Sequence, residues 1–355
     1  MMTFFARGFA IFVCYLFLPL GVSFALEPGE SIVLDPVTGN YKITYSDTLK
    51  GGVKVLSRAT FVPSTKIDPT IDSKFHLNHT GAVSYSYTVR SEAQSRQVLD
   101  TVGFNLVSRV TGSQDLPTDM QTSTVAQAFA VLEANSRALT TPSGWRGSIS
   151  TYENGAYVSW DPVDSAAGIQ PKGQVKGFGF VSQGLPGVGA AKFKGARRFA
   201  RGFGGEGPDP DSDIRKQYDA LKQNDFVARN AVVPTIYVPV PFDAAVLLDS
   251  IRTHMLTWSN NQLLDPAFAT QLDRYMVAAA DAYRHNQPKA GKEHIQTLRK
   301  MLKKEHEDTD KDDEKEDGKL EGKGEDRNKR ILIDRLAARV LDFDLNYVLK
   351  RMGDD

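Results

Sequence analysis

The hydrophobic period of the chain changes near position 243, and this change constrains the fold more than any other feature. Upstream, apolar and polar residues alternate, as in Ala156, Val158 and Trp160 against Tyr157 and Ser159. Alternation places successive side chains on opposite faces of a strand. Downstream, apolar residues recur every three or four positions, which indicates amphipathic helices. The pattern predicts a mostly β N-terminal part followed by an all-α C-terminal part.

The β-part consists of short apolar runs separated by turn residues. Residues 35–40, Asp-Pro-Val-Thr-Gly-Asn, have the composition of a turn. Strands at roughly ten-residue spacing are typical of an antiparallel β-sandwich. Residues 123–139 have helical spacing instead, with Ser123 as the N-cap, so we expect one helix inserted between strands. The runs that we interpret as strands are 32–34, 41–45, 53–56, 60–62, 82–89 and 102–110.

The segment 196–242 differs in composition from both of its neighbours. It is rich in glycine and proline, and we interpret it as a linker. Within it, residues 212–224 are expected to form a short amphipathic helix. Prolines at 234, 239 and 241 restrict 232–241 to an edge strand or an extended connector, because proline cannot donate a ladder hydrogen bond.

Four helices are predicted after position 243. Asp265 is a suitable N-cap with Pro266 in the first turn, and Pro288 begins the third helix. Residues 331–352 carry the apolar stripe of a last helix. The nearly continuous charge of 303–329 predicts a solvated loop before that helix. The whole region 243–355 is therefore expected to form a helical hairpin or bundle.

The helical region resembles a known family in the spacing of its apolar residues. The pattern comprises Leu272-x2-Tyr275-x3-Ala279-x2-Ala282, then Ala290-x4-Ile295-x2-Leu298, then Leu336-Ala337-Ala338. It is similar to FIMAH, a helical module at the C-terminal ends of secreted bacterial proteins. The resemblance covers under a third of the chain, and the charged insertion before the last helix departs from it. It implies an accessory helical bundle without catalytic residues.

Residues 1–25 have the pattern of a secretory signal peptide. Arg7 precedes an apolar stretch at 8–20, and Ser23 and Ala25 provide small residues at the cleavage positions. That stretch is too short for a comfortable transmembrane helix, so no transmembrane span is expected after cleavage. An uncleaved N-terminal anchor is the alternative. The expected organisation is a signal at 1–25, a sandwich at 26–195, a linker at 196–242 and helices at 243–355.

Cysteine content indicates the compartment. The only cysteine, Cys14, lies inside the predicted signal, so the mature chain has none. This excludes disulfides, a thiol nucleophile and a cysteine-ligated metal. Exported proteins of animals commonly carry disulfides. A cysteine-free chain therefore suits a secreted or periplasmic bacterial protein better.

The charge balance argues against a nucleic-acid partner. Lysine plus arginine total 43, as do aspartate plus glutamate, so the formal net charge is zero. One local cluster is basic and aromatic. We interpret this cluster as part of the linker, and the alternative is that it binds an anionic ligand. Its members are Arg197, Arg198, Phe199, Arg201 and Phe203.

An acidic run contains the candidate metal ligands. Asp308, Asp310 and Asp312 have the spacing of oxygen ligands in a calcium loop, and Asp317 could assist them. The sixth and twelfth positions do not follow the EF-hand pattern. A solvated run of charges is the competing interpretation. No cofactor is expected, with calcium as the open possibility.

Candidate catalytic residues are few. No G-x-S-x-G elbow occurs in the sequence. Asp161 and Asp164 could in principle act as the carboxylate pair of a glycosidase, but they lie in a segment with turn composition, where carboxylates are usually turn residues. The sequence therefore predicts that the protein is not an enzyme.

These observations together favour an exported, non-catalytic structural, adhesion or binding protein. Its partner would be a cell-surface or extracellular protein or a glycan. The alternative is a carbohydrate-binding module, in which exposed aromatic rings of the sandwich stack on sugars. Burial of the two tryptophans in the core is the competing interpretation. The candidate residues are Trp145, Tyr152, Tyr157 and Trp160.

Overall fold

The structure is a computed structural model that describes residues 26–48, 52–79, 81–105, 139–152, 155–198, 200–204, 207–313 and 331–353. For 150–152, 155–156 and 306–313 it describes the backbone alone. Within these ranges the chain forms twelve strands in three antiparallel sheets, followed by helices. The predicted fold class, a β-sandwich with a helical C-terminal part, is confirmed. The signal sequence and the helix expected at 123–139 lie outside the described residues.

The chain divides into two compact units, of which the smaller comprises residues up to 62 together with 199–224. Strands β1 (Ser31–Asp35), β2 (Asn40–Thr48) and β3 (Lys54–Phe61) form a meander. The predicted turn at 35–40 joins the first two, and the Asp35 carboxylate accepts the Val37 amide at 3.0 Å.

One helix contributes to the core of the smaller unit. Helix α1 (Asp213–Gln223) begins after Ser212, whose hydroxyl accepts the Arg215 amide. The apolar side chains of α1 lie on one face of the helix, and this face packs on the sheet. Ile214 on this face is fully buried. The buried core of this unit comprises Ile43, Tyr45, Ala59, Phe61 and Ile214.

The larger unit comprises residues 63–198 and 225–355, and two sheets form its sandwich. The four-stranded sheet has the order β4 (Pro69–Leu77), β5 (Val83–Ser91), β10 (Gln174–Ser182), β7 (Leu139–Thr140). The five-stranded sheet has the order β12 (Val227–Ile236), β11 (Leu185–Gly195), β6 (Leu99–Asn105), β9 (Gly155–Pro162), β8 (Trp145–Tyr152).

Aromatic rings fill the space between these two sheets. Tyr87 of β5 stacks on Phe104 of β6 with the ring centroids 4.4 Å apart. Trp145 of β8 meets Phe178 of β10 edge to face at 5.0 Å. Such pairs contribute beyond the burial of their area. The inward positions are those that alternation predicts.

Four helices complete the larger unit. Asp243, Asp265 and Asp334 cap three of them by accepting backbone amides, and Pro266 occupies the first turn as predicted. Buried residues of these helices belong to the same continuous core as the sandwich. The helices are α2 (Ala244–Asn260), α3 (Pro266–Arg284), α4 (Pro288–Asp313) and α5 (Arg335–Arg351).

The structure departs from the expected organisation in two segments. The segment 196–242 is more than a linker, since it supplies both α1 and β12. Strand β12 lies at the edge of its sheet, which is why Pro234 is tolerated there. The first part of the expected loop at 303–329 is helical up to Asp313.

The boundaries of the two compact units also do not coincide with position 243, where the spacing of apolar residues changes. The sandwich and the helices share one core, whereas 26–62 pairs with 199–224. No helix within the described ranges combines the length and apolar character needed to cross a bilayer.

Candidate functional site

A groove of about 990 Å³ lies between helices α4 and α5 of the larger unit, next to strand β4. Its volume is at the upper end of the range for small-molecule sites. The described residues that line it are Phe75, Gln296, Arg299, Lys300, Leu302, Lys303, Ala338, Arg339, Asp342, Phe343 and Asn346.

Helical periodicity explains why polar side chains line this groove. On α4, Ile295, Leu298 and Leu302 are buried in the core. Residues three or four positions apart share a face of a helix, so 296, 299, 300 and 303 form a separate polar stripe. Helix α5 buries Ala337, Leu341 and Leu345 in the same way and leaves 339, 342 and 346 toward the groove.

Arg299 is held in place by two residues of the opposite helix. Its Nε donates to Asp342 Oδ1 at 2.7 Å and its Nη2 to Asp342 Oδ2 at 3.2 Å. Its Nη1 donates to Asn346 Oδ1 at 3.0 Å. A bidentate pair of this kind fixes the plane of the guanidinium. Arg299 therefore joins α4 to α5 and neutralises the carboxylate of the groove.

Positive charge is concentrated in this groove. Among the described residues that line the groove, Arg299, Lys300, Lys303 and Arg339 are cationic and Asp342 is the one acidic residue. Because Arg299 pairs with Asp342, the excess of positive charge in this lining comes from the other cations, Lys300 and Arg339 among them. Since the formal net charge of the whole chain is zero, this excess is a local feature. It favours anionic ligands over neutral or cationic ones.

Two phenylalanines form the apolar part of the groove. Phe75 of β4 and Phe343 of α5 meet edge to face with their centroids 5.2 Å apart. Both side chains are half-buried. The Arg339 guanidinium lies over the Phe75 ring, 5.5 Å from its centroid. The groove thus presents cationic groups around an aromatic floor.

The two candidate tryptophans do not form an exposed platform. Trp160 is 0% exposed and Trp145 is 6% exposed. The Trp160 indole N–H donates to Thr141 Oγ1 at 3.3 Å. Neither ring can stack on a sugar, so their assignment to an exposed binding face is wrong. Alternation placed Trp160 on the same face as Val158, and this face is the inner one.

The two candidate tyrosines have different outcomes. Tyr157 is half-buried on the outer face of the five-stranded sheet, with its ring close over Gly103. A Cβ at position 103 would lie 1.9 Å from the Tyr157 hydroxyl, so glycine makes room for this ring. Tyr152 belongs to β8, but its side chain lies outside the described residues.

Asp161 and Asp164 have separate hydrogen-bond partners. Asp161 accepts the Thr101 hydroxyl at 3.0 Å, whereas Asp164 accepts the Ala166 amide at 2.8 Å and caps a turn. Asp100, which interacts with Asp161, was not among the predicted candidates. Burial, with a further contribution from the charge of Asp161, raises its pKa to about 6. Neither candidate aspartate lines the groove.

Three of the candidate calcium ligands, Asp308, Asp310 and Asp312, do not occupy a loop. The backbone at 308–312 is part of α4, whereas an EF-hand presents its ligands from a loop. Asp317 lies outside the described residues. Within the described ranges, no group of three histidine, cysteine, aspartate or glutamate residues is placed to hold a metal ion.

The basic and aromatic cluster at 197–203 does not act as one surface. Arg197 pairs with the buried Asp225 in the larger unit. Phe203 packs on Tyr45 and Tyr218 within the smaller unit, at centroid distances of 4.8 and 4.5 Å. Phe199 lies outside the described residues.

The groove residues were missed by reasoning from the sequence. The polar stripe of α4 was available as a signal, but such stripes usually face solvent. The pairing of Arg299 with Asp342, 43 positions away, depends on the packing of two helices. No protein-family model, curated protein or solved structure shows significant similarity to the chain.

Proposed function

We propose that the chain is an exported, non-catalytic binding protein of the bacterial envelope or exterior, and that the groove between α4 and α5 is its ligand-contacting surface. The observation that carries this proposal is the excess of positive charge, with Lys300 and Arg339 among its sources, around the Phe75 and Phe343 floor. The N-terminal sequence pattern and the cysteine-free remainder support export. The FIMAH-like spacing agrees with an accessory helical module.

The chemistry of the groove supports binding rather than catalysis. Its lining offers guanidinium, ammonium, amide and aromatic groups, together with one carboxylate engaged by Arg299. General acid–base catalysis needs a group with a pKa near the working pH, and nucleophilic catalysis needs an activated hydroxyl, thiol or amine. None of the described residues that line the groove is a serine, cysteine or histidine, and its two lysines are exposed rather than buried.

The carbohydrate-binding alternative has less support. It depended on the exposure of aromatic rings on the sandwich, and Trp145 and Trp160 are in the core. A sugar ligand in the groove would have to rely on Phe75 and Phe343, whose rings contact each other. We therefore propose no second function.

Retention on isolated bacterial envelopes tests the proposal. We expect fluorescently labelled protein lacking residues 1–25 to be retained, and the charge reversal Lys300→Glu with Arg339→Glu to reduce retention at least tenfold. A matched control, Lys176→Glu with Lys289→Glu, changes net charge equally outside the groove and is expected to be retained. Equal retention of both variants would contradict a role for the groove.

A hydrolase panel tests the non-catalytic part. We expect no turnover of glycoside, ester or peptide substrates by the purified protein. Turnover that is abolished by Asp161→Asn or Asp164→Asn would overturn this part of the proposal, since those two carboxylates are the acid–base candidates of the sequence.

A further inference from the structure

We infer that the ligand of the groove is an acidic polypeptide segment that also carries an apolar side chain. This inference rests on the proposed binding function and specifies its ligand class.

The polar groups of the groove are mainly donors. Lysine and arginine side chains have donors and no acceptor. Asn346 uses its oxygen to accept from Arg299, which leaves its amide N–H groups to donate. The Asp342 oxygens accept from Arg299. The complementary ligand is therefore rich in acceptors and negatively charged, as carboxylates are.

The aromatic floor separates a peptide from an acidic glycan. A sugar ring stacks on an open aromatic face, but Arg339 lies over one face of Phe75. The edge-to-face contact with Phe343 further limits the open face. An apolar side chain of a peptide needs no flat platform and can pack against ring edges. The floor therefore fits a side chain better than a sugar.

The walls of the groove fit a chain rather than a single anion. Cationic groups of α4 recur at 299, 300 and 303, and Arg339 faces them from α5. Recognition of an apolar and charged segment between two helices is a known mode of peptide binding. An isolated phosphate or sulfate would fill only a small part of about 990 Å³.

Fluorescence anisotropy with defined probes tests this inference on the chain lacking residues 1–25. The main probe is a fluorescein-labelled, glutamate-rich peptide with two spaced phenylalanines. We expect binding that weakens with added salt, because exposed charges are screened. Replacing the glutamates by glutamine, or the phenylalanines by serine, is expected to weaken binding at least tenfold in each case.

Variants of the protein locate the binding site. The reversal Lys300→Glu with Arg339→Glu is expected to weaken binding of the main peptide at least tenfold, and Lys176→Glu with Lys289→Glu less than twofold. Circular dichroism checks that each variant is folded. Phe343→Leu keeps an apolar group and is expected to retain more affinity for the peptide than Phe343→Ser. This pair tests the apolar contribution of position 343 separately from the charge-reversal variant.

Two further probes distinguish failure of this inference from failure of the proposed function. They are polyglucuronate and vesicles of anionic phospholipid. Binding of either, sensitive to the Lys300 and Arg339 reversal, without binding of the peptide would overturn the ligand class and leave the groove as the binding surface. If no probe binds and the reversal leaves envelope retention unchanged, both proposals are wrong.

Discussion

The backbone amide of Ser64 donates to the carboxylate of Asp225 at 2.7 Å, although 161 positions separate the two residues. The Ser64 hydroxyl lies 2.8 Å from the other carboxylate oxygen. Arg197 forms an ion pair with the same carboxylate, which is buried within the larger unit. Three chain segments that are distant in sequence thus meet at one aspartate.

Removing this carboxylate is expected to destabilise the larger unit. In Asp225→Ala the buried Ser64 loses the acceptor of its amide and hydroxyl, and the partly exposed Arg197 loses one ion pair, so we expect a loss of about 2 kcal/mol in the free energy of unfolding. Urea denaturation measures the change. Asp219→Ala removes an exposed carboxylate from surface pairs and is expected to change stability by less than about 1 kcal/mol. A loss for Asp225→Ala no larger than this would contradict the structural role.

His254 makes stability depend on pH. Its ring is buried with Nε2 3.2 Å from the Thr235 hydroxyl, and burial lowers its pKa to about 4. The unfolded chain takes up a proton near pH 6.5, whereas the folded chain does so only near pH 4. The contribution of neutral His254 to stability is therefore lost as the pH falls through this window. By pH 5 we expect a loss of about 2 kcal/mol relative to pH 7.

The variant His254→Gln isolates this effect, since glutamine is neutral throughout and can still bond Thr235. We expect the difference in unfolding free energy between wild type and variant to change by that amount between pH 7 and pH 5. Other groups, including Asp100, cancel in the difference because both proteins contain them. A difference that stays constant with pH would rule out burial of a neutral histidine.

Asp344 is a buried carboxyl on α5 without a partner among the described residues. The residue is 1% exposed, and neither of its carboxyl oxygens has a hydrogen bond to any described residue. Burial raises its pKa well above the usual range. Because an unsatisfied buried polar group is costly, we expect Asp344→Leu to raise the free energy of unfolding by about 1–3 kcal/mol at pH 7.

The stabilisation by Asp344→Leu is expected to depend on pH in a defined direction. Above about pH 4 the unfolded chain releases the Asp344 proton and the folded chain retains it, so the wild type loses stability as the pH rises. The advantage of the leucine variant should therefore be larger at pH 7 than at pH 5. Chemical denaturation at both values measures it, with Asp281→Leu, an exposed carboxylate of α3, as the control. An advantage that shrinks with rising pH would contradict this account.

Calcium is not expected to act as a folding ligand. The helical backbone at 308–312 does not provide the loop from which calcium ligands converge. We expect the melting temperature to be the same with chelator and with added calcium, since a ligand of the folded state would raise it. A rise with calcium that Asp308→Asn with Asp312→Asn removes would restore the metal site.

Local signals predicted the elements well. Asp265 followed by Pro266 marked the beginning of α3, and the composition of 35–40 marked the turn between β1 and β2. The edge position of β12 followed from its prolines. In each case the residues that specify the structure are neighbours in sequence, so one sequence suffices to read them.

Features that depend on distant partners could not be predicted. Alternation placed Trp160 with the apolar residues of its strand, but the ligand-binding alternative required that face to be exposed. The assembly of 26–62 with 199–224 depends on pairs such as Phe61 with Tyr218, 5.8 Å apart. The charge of the groove likewise depends on which helices become neighbours.

The discontinuity of the smaller unit has a consequence for biosynthesis. Strands β1 to β3 emerge from the ribosome well before the aromatic rings and the helix that cover them, which belong to 199–224. Until residue 224 has been made, these strands lack Phe203, Ile214 and Tyr218, and their apolar face remains open to chaperones or to other nascent chains. The smaller unit can therefore be completed only after the intervening residues 63–198 have been synthesised.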